Sequence, residues 1–477
     1  MEHTPDTRER QANRLLRVLV FTLIISVMNA SMFNVALPVI REEFGLTPSQ
    51  VGWMLTGYMI VYAIGSVTFG KLADKYRLKD LLTYGLIAFA LGSIIGLSAS
   101  EYWMVIAGRL FQAAGASVIP ATAMIVPVRY FSPEKRGRAL GTTAVGLSLG
   151  AALGPIVSGV VSGLVSWRYL FALSILAVLV LPFFRKYLDD ETGTARTIDY
   201  VGGLTLAGTV ASLLLAITQG SWLLCGVGVL LLSLFLLRVR TAAEPFVQPA
   251  IFRNKSYTLG LVVAFVLTGL NFGLPFMAPQ FLAALNHLSP LAVGFVLFPS
   301  AICAALLGRR GGKLADDKGN RFLFAIAASL ILLSFVMLSS VVGLSPAWIG
   351  FFMIFGTVGQ SFIQIAMSNT ISRTLAKEQT GVGMGLFAML NFIAGATATT
   401  LIGKALDAGT STLRLNPFPP GEALLYSNIF VVLGALIIVV SIVYFAQFRT
   451  AASASVTVSP GTGTGAGAGA AGGNPTR

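Results

Sequence analysis

Long apolar runs alternate along this chain with short connections that carry almost all of the charge. A bilayer core about 30 Å thick needs roughly 20 apolar residues per helix. Fourteen runs meet that length: 17–40, 51–72, 81–100, 103–128, 139–165, 168–184, 200–219, 222–237, 257–284, 290–311, 322–343, 347–371, 381–405 and 424–447. They predict fourteen membrane-spanning helices, called spans 1–14 below. Spans 7 and 8 are separated only by Gly220 and Ser221, which predicts a helical hairpin.

Composition agrees with lipid as the solvent. Of the 477 residues 55% are hydrophobic and 11% charged, with a mean hydropathy of +0.80. Soluble domains carry about 25% charged residues. A net charge of +14 would suit nucleic acid only if it were clustered on a soluble face. Here it lies in the connections, so no nucleic-acid partner is expected. Of 33 Lys and Arg, 28 fall in the two tails and the connections near 71–79, 129–138, 185–196, 238–255, 309–321 and 373–377. Three (Arg41, Arg168, Arg414) fall on the opposite side, and Arg109 and Lys404 lie inside spans. By the positive-inside rule this places both termini in the cytoplasm of a multi-pass plasma-membrane protein. The polar start of the chain lacks a cleavable leader pattern, so the first run is expected to remain as span 1. Cys225 and Cys303 both sit in apolar runs, which points to neither a disulfide framework nor a metal site.

The charged pentapeptide Gly70-Lys71-Leu72-Ala73-Asp74 after span 2 recurs as Gly312-Lys313-Leu314-Ala315-Asp316 after span 10, 242 residues later. Asn34-x-x-Leu-Pro38 in span 1 is echoed by Asn271-x-x-Leu-Pro275 in span 9. Duplication of a six-span unit explains both, with the hairpin inserted between the copies. The expected division is an N-tail (1–16), a first six-helix bundle (17–185), a linker with the hairpin (186–240), a second six-helix bundle (241–449) and a disordered Gly/Ala-rich tail (450–477). Two parallel six-helix halves are a transporter plan, with substrate bound between them near the midplane.

Three motifs carry a family resemblance. The pentapeptide closely resembles the loop 2–3 signature of the major facilitator superfamily. Arg109-x-x-Gln112-x-x-Gly115-Ala116 in span 4 resembles that family's Arg-x-x-Gln-Gly-x-Gly-Ala pattern. Gly146-x-x-x-Gly150-x-x-x-Gly154-Pro155-x-x-Ser158-Gly159 in span 5 resembles its antiporter motif, with Ser158 replacing one Gly. With Asp199-Tyr-Val-Gly202-Gly203 and Glu244-Pro-Phe-Val-Gln-Pro249, the chain from about Asn29 to Phe448 is similar to fourteen-spanner drug:proton antiporters, most of all tetracycline exporters of Gram-positive bacteria. The resemblance implies an all-α major facilitator fold and a monomer without cofactor, neither enzyme nor metalloprotein. It would export drugs or other amphipathic small molecules by alternating access, with protons as coupling ion. Gly70, Asp74, Lys75, Lys79, Asp316 and Arg321 would form a cytoplasmic latch. Gly70 would allow close helix approach, and Asp74 would accept bonds from basic residues of the 129–138 or 185–196 connections.

Candidate substrate-binding groups are Asn29, Asn34, Tyr58, Arg109, Gln112, Asn271, Gln360, Gln364 and Asn391. Tyr62 and Gln280 are further cavity-lining groups. A charged residue inside a membrane helix is costly and marks function by default; the alternative for Arg109 is a structural role, bonded to Asn29 or Asn34. None of the 19 acidic residues lies in the middle of a span. Where the resembling tetracycline exporters carry acids, this chain has Ala30, Val39, Ala151 and Ala396. Both histidines (His3, His287) lie outside the spans, so no central group is suited to alternate between substrate and proton. Coupling would therefore run through acids at helix ends, such as Asp74 or Asp199. Two other readings are consistent with this distribution: an uncoupled facilitator or anion exchanger, and a non-transporting sensor or binding scaffold. Lys404, three residues before Asp407, reads as an interfacial ion pair.

Overall fold

A computed structural model describes residues 5–73, 75–131, 133–190, 199–375, 380–419 and 421–447. Fourteen of its helical segments are long and apolar enough to cross a membrane. The first half comprises Pro5–Glu43, Pro48–Leu72, Leu78–Leu97, a fourth span in two parts (Tyr102–Ala116, Val118–Tyr130), Pro133–Leu164, and a sixth span running from Tyr169 to Tyr187. The hairpin is Tyr200–Gln219 and Trp222–Thr241. The second half comprises Lys255–Ala284, Pro290–Lys318, Asn320–Val341, Pro346–Arg373, Thr380–Leu406 and Leu424–Gln447.

Local chemistry explains the boundaries. Span 2 begins at a capping box: the Thr47 hydroxyl accepts from Gln50 N, Gln50 Oε1 accepts from Thr47 N, and Pro48 occupies the first turn. Asn254, Ser289 and Ser221 cap spans 9, 10 and 8 by a side chain that accepts from the amide three residues on. The hairpin turns at Gly220, whose φ of 64° lies in the left-handed region open to glycine. Two breaks were not expected. Span 4 is interrupted at Ser117 because Pro120 has no amide to offer Ala116, four residues earlier. Span 6 tightens into a 3-10 turn over Leu176–Val180 because Pro182 leaves Val178 without its partner. Span 1 starts at Pro5, well inside the expected N-tail. Ala12, Leu15, Leu16 and Leu19 are buried at helical spacing, and Gln11 Nε2 donates to Tyr187 O at 3.0 Å.

Within the first half, span 1 packs on span 5 and span 3 on span 4; within the second, span 11 packs on span 12 and span 9 on span 13. The halves meet chiefly along span 2 with span 13, span 5 with span 10, and span 1 with span 9. The face bearing most Lys and Arg is called the basic face, and the other the far face. Closure is concentrated toward the far face. The buried residues of span 2 all lie between Pro48 and Ala63, whereas 64–72 are part-exposed. Span 10 buries Val293, Leu297 and Ser300, then is part-exposed or exposed over 301–308. Cross-half contacts run from Ser49–Asp407 at the far end to Tyr62–Phe392 near the middle, whose rings lie 4.7 Å apart edge to face. The cleft between the halves therefore opens toward the basic face.

The hairpin is fixed to this frame through Asp199. Its Oδ1 accepts from Gly202 N at 3.0 Å and from Arg238 Nε at 2.9 Å, and its Oδ2 from Phe246 N at 3.1 Å. One carboxylate thus joins the start of span 7, the end of span 8 and the linker to the second half. Phe246 packs on Gly203, and Lys71 Nζ lies 5.4 Å from the Phe246 ring centre, donating to Pro245 O and Phe246 O. The two sequence motifs around Asp199 and Glu244 are therefore one docked unit, held against the basic end of span 2.

Burial opposes ionisation of Asp199, but the bonds from Gly202, Arg238 and Phe246 outweigh it and hold its pKa below the ordinary value of 3.8. The group thus contributes stability above that value, lost as pH falls through the folded pKa. Arg238 is partly exposed, which screens its share. Asp199→Asn is expected to cost about 1–2 kcal/mol at neutral pH. Unfolding of the detergent-solubilised protein, followed by intrinsic fluorescence, should show that deficit at pH 7 and its progressive loss as pH falls below 3.8 and through the lower folded pKa. A deficit independent of pH would sink the ionic account.

Candidate functional site

Small residues bring spans 3 and 4 into backbone contact. A Cβ added at Gly92 would lie 2.5 Å from Gly108 O, and one at Gly108 would lie 2.8 Å from Gly92 O. Close approach through glycine is how membrane helices associate where lipid removes the hydrophobic drive. It places Arg109 and Gln112 on the inner face of the bundle, 1% and 0% exposed.

Arg109 Nη1 donates to Asn29 Oδ1 at 2.7 Å and to Gln112 Oε1 at 3.0 Å. Gln112 Nε2 donates in turn to Ser93 Oγ at 2.8 Å, and Asn29 Nδ2 to Ser174 Oγ. One network thus joins spans 1, 3, 4 and 6. The guanidinium lies between two rings, 4.4 Å from the Phe33 centre and 4.0 Å from that of Tyr58. Among the described residues its Nε and Nη2 have no acceptor, nor has the Tyr58 hydroxyl a partner. Among the described residues Arg109 makes no ion pair, so its charge is held by neutral dipoles and ring faces. Tyr58 stacks on Tyr62 at 5.7 Å, and Tyr62 meets Phe392 of span 13. A line of π systems therefore connects Arg109 to the second half.

The other expected lining groups are more dispersed. Asn391 Oδ1 accepts from Thr268 Oγ at 2.9 Å, one turn from the buried Asn271. Asn34 is half-buried and donates to Ser31 O at 3.2 Å. On span 12 Gln360 is half-buried and Gln364 exposed; among the described residues neither bonds to the Arg109 network. Ser93, Ser174, Phe33 and Phe392 were not foreseen. Serines and phenylalanines are too common in apolar helices to stand out; a helical count from Arg109 and Asn29 identifies faces but not partners.

The glycine motif of span 5 divides into two stripes. Gly146, Gly150 and Gly154 face span 1 of the same half: a Cβ at Gly150 would lie 2.7 Å from Ile24 O, and one at Gly154 would collide with Ser31. Pro155, Gly159 and Gly163 begin one residue later, about 100° round the helix, and face span 10 of the other half. A Cβ at Gly159 would lie 2.9 Å from Pro290 O, and one at Gly294 would lie 2.8 Å from Pro155 O.

At the basic face only part of the expected latch falls within the described residues. Asp74 and the side chain of Asp316 lie outside the described residues. Gly70 and Gly312 have open space where a Cβ would stand, so the close approach expected of Gly70 is not made in this state. The splayed basic ends of the halves account for that. Lys79 pairs with Asp190, with Arg77 Nη1 at 3.5 Å from the same carboxylate, so bases of the loop meet an acid of the 185–196 connection. Lys75 lies 5.3 Å from the Tyr76 ring, and Arg321 5.7 Å from that of Phe445.

If the Arg109 network is held by neutral acceptors, Asn29→Leu should cost about 1–3 kcal/mol of stability by leaving the guanidinium short of a partner. Ser174→Ala should cost less, since Asn29 still faces Arg109. Thermal unfolding in detergent distinguishes the two, and equal midpoints for wild type and Asn29→Leu would remove the structural part of the reading.

Comparison with known proteins places the chain. The model of the Major Facilitator Superfamily matches residues 19–399. The riboflavin transporter RibZ of Clostridioides difficile (strain 630) is 26% identical over 343 residues, 70% of this chain and 75% of that protein. Multidrug resistance protein 3 of Bacillus subtilis (strain 168) is 25% identical over 372 residues, 75% and 72% of the two chains. In fold, the chain is similar to a bacterial homolog of the human lysosomal transporter Spinster, crystallised inward-facing and unoccupied. The TM-score is 0.67 at 14% identity, covering 95% of this chain and 99% of that one. Fourteen spans, two joined six-helix halves and a family match over most of the sequence lead to one conclusion: this chain belongs to the Major Facilitator Superfamily and is a membrane transporter, with the family and fold of carriers and not of enzymes.

Proposed function

We propose that the protein exports drugs or related amphipathic small molecules across the plasma membrane by alternating access, coupled to protons. The single observation that carries the reading is the seam between spans 5 and 10. There Gly159 and Gly294 leave backbones in contact, a surface on which one half can rock against the other without unlocking side chains. The antiporter pattern on that seam and relatives named for multidrug resistance support export; the relative named for riboflavin supports flat, partly polar substrates. On this reading the halves 17–185 and 241–449 move as bodies, both termini and the basic face are cytoplasmic, and the present state receives substrate from the cytoplasm. Arg109, with Tyr58 over its face, orients substrate; Asn34, Asn271, Gln360, Gln364 and Asn391 offer neutral polar contacts. Asp74 and Asp316, with Lys75, Lys79 and Arg321, form the latch of the opposite state.

An uncoupled facilitator or anion exchanger is the second reading, favoured by the carboxylate-free middle of the spans beside a buried Arg109. Medium acidity separates the two: a coupled exporter shifts pH when substrate is added, and an exchanger does not.

In an efflux-deficient host, expression should lower accumulation of amphipathic dyes, and an uncoupler should abolish the effect. Gly159→Leu should return accumulation to the host level by wedging the seam, and Arg109→Gln should reduce export about tenfold or more. Asp74→Asn should collapse transport by weakening the latch. Accumulation unaffected by expression, for every dye class tried, would overturn the exporter reading.

A further inference from the structure

At the far face, five residues form a closed ring through three spans. Ser49, in the first turn of span 2, donates from its amide to Asp407 Oδ1 at 2.9 Å and from its hydroxyl to Oδ2 at 2.5 Å. Lys404 Nζ, on span 13 with Asp407, lies 3.9 Å from that carboxylate and donates to Thr218 O at 3.0 Å. Thr218 ends span 7, and its Oγ1 accepts from Trp53 Nε1 at 3.1 Å, which returns the ring to span 2.

Two helix ends explain why these types are used. The amides of a first helical turn lack intrahelical acceptors and favour an anion; the carbonyls of a last turn lack donors and favour a cation. Asp407 is the anion at the start of span 2, and Lys404 the cation at the end of span 7. Lys404 sits in the last turn of span 13 and Asp407 just past its end, so a single helix end from the second half answers two helix ends at once. The fit is close: a Cβ at Gly403 would lie 3.0 Å from Ser49 Cα. Below the ring, Ile60 of span 2, Leu214 of span 7 and Ala396 of span 13 form one buried cluster, so span 7 covers the seam between the halves.

We propose that this ring is the far-face lock of the transport cycle, and that it makes the inserted hairpin a working part of the gate. Asp407, Lys404 and Thr218 are positioning residues: they hold spans 2 and 13 together while the basic face is open, and opening the far face requires Ser49 to leave Asp407. The lock rests on the alternating-access reading but assumes nothing about substrate or coupling ion. The ion pair read from sequence as interfacial thus acts on the opposite half.

Reciprocal accessibility tests the lock. Single cysteines are placed at two positions of span 2 in a background lacking Cys225 and Cys303. One is Thr56→Cys, at a site 1% exposed beside Thr400; the other is Ser66→Cys, part-exposed in the basic half. Labelling rates with a sulfonated maleimide are measured on the full chain in nanodiscs, where both faces are open to the reagent. Asp407→Asn should speed labelling at Thr56→Cys and slow it at Ser66→Cys, each by about tenfold, the scale of one charge-assisted bond. Asp407→Glu should restore both rates, and Trp53→Phe should shift them in the same directions by less. Rates that rise together at both positions would mean simple loosening, and rates that stay put would mean the ring does not gate; either overturns the proposal. Dye flux measured in parallel keeps the readings apart. Reciprocal shifts without flux sink the exporter reading alone, and flux with fixed rates sinks the lock alone.

Discussion

The rest of this structure depends on how closely its helices can approach where lipid offers no hydrophobic reward for packing. Glycine answers that constraint, and span 5 answers it twice. The stripe at Gly146, Gly150 and Gly154 sets span 1 within the first half, and the stripe beginning at Pro155 sets span 10 of the second. Because the stripes are offset by one residue, one helix meets its own half on one face and the other half on the next. On the proposed alternating-access reading the second face is a rocking surface, since interlocked side chains would resist a motion that backbone against backbone does not.

Arg109 follows from the same constraint. A guanidinium has five donors and a charge that lipid cannot solvate. With carboxylates confined to connections and span ends, its solvation comes from Asn29, Gln112 and two ring faces, backed by Ser93 and Ser174. The network joins four spans of one half and none of the other, so it stiffens the first bundle as a body while the π stack from Tyr58 to Phe392 reaches the partner half.

Much of this was legible in the chain. The fourteen spans follow from run length, and the pentapeptide repeat pairs spans 1–6 with spans 9–14 because duplication preserves spacing. What pattern could not reach was contact. Asp407 and Ser49 are 358 residues apart, and neither is unusual where it stands. The Asp199 and Glu244 segments were seen as motifs but not as partners, although Asp three residues before Gly202 is an ordinary helix-cap signal. Gly70 stands open here, and the expectation of close approach concerns a structure closed at the basic face; a sequence does not say which state a structure will show. The breaks in spans 4 and 6 were missed because run length takes no account of an absent amide at Pro120 or Pro182.

The distribution of acids then constrains how such a machine can respond to protons. A carboxylate at the midplane could exchange a proton for substrate directly; one at a span end can act only by changing which ends touch. Asp199 holds the hairpin at the basic end, and Asp407 holds the start of span 2 at the far end. Both lie near a face, where water reaches more readily than at the middle. On the proposed exporter reading, a proton dependence would enter through the stability of the closed ends, and so through the balance between the two states of the cycle.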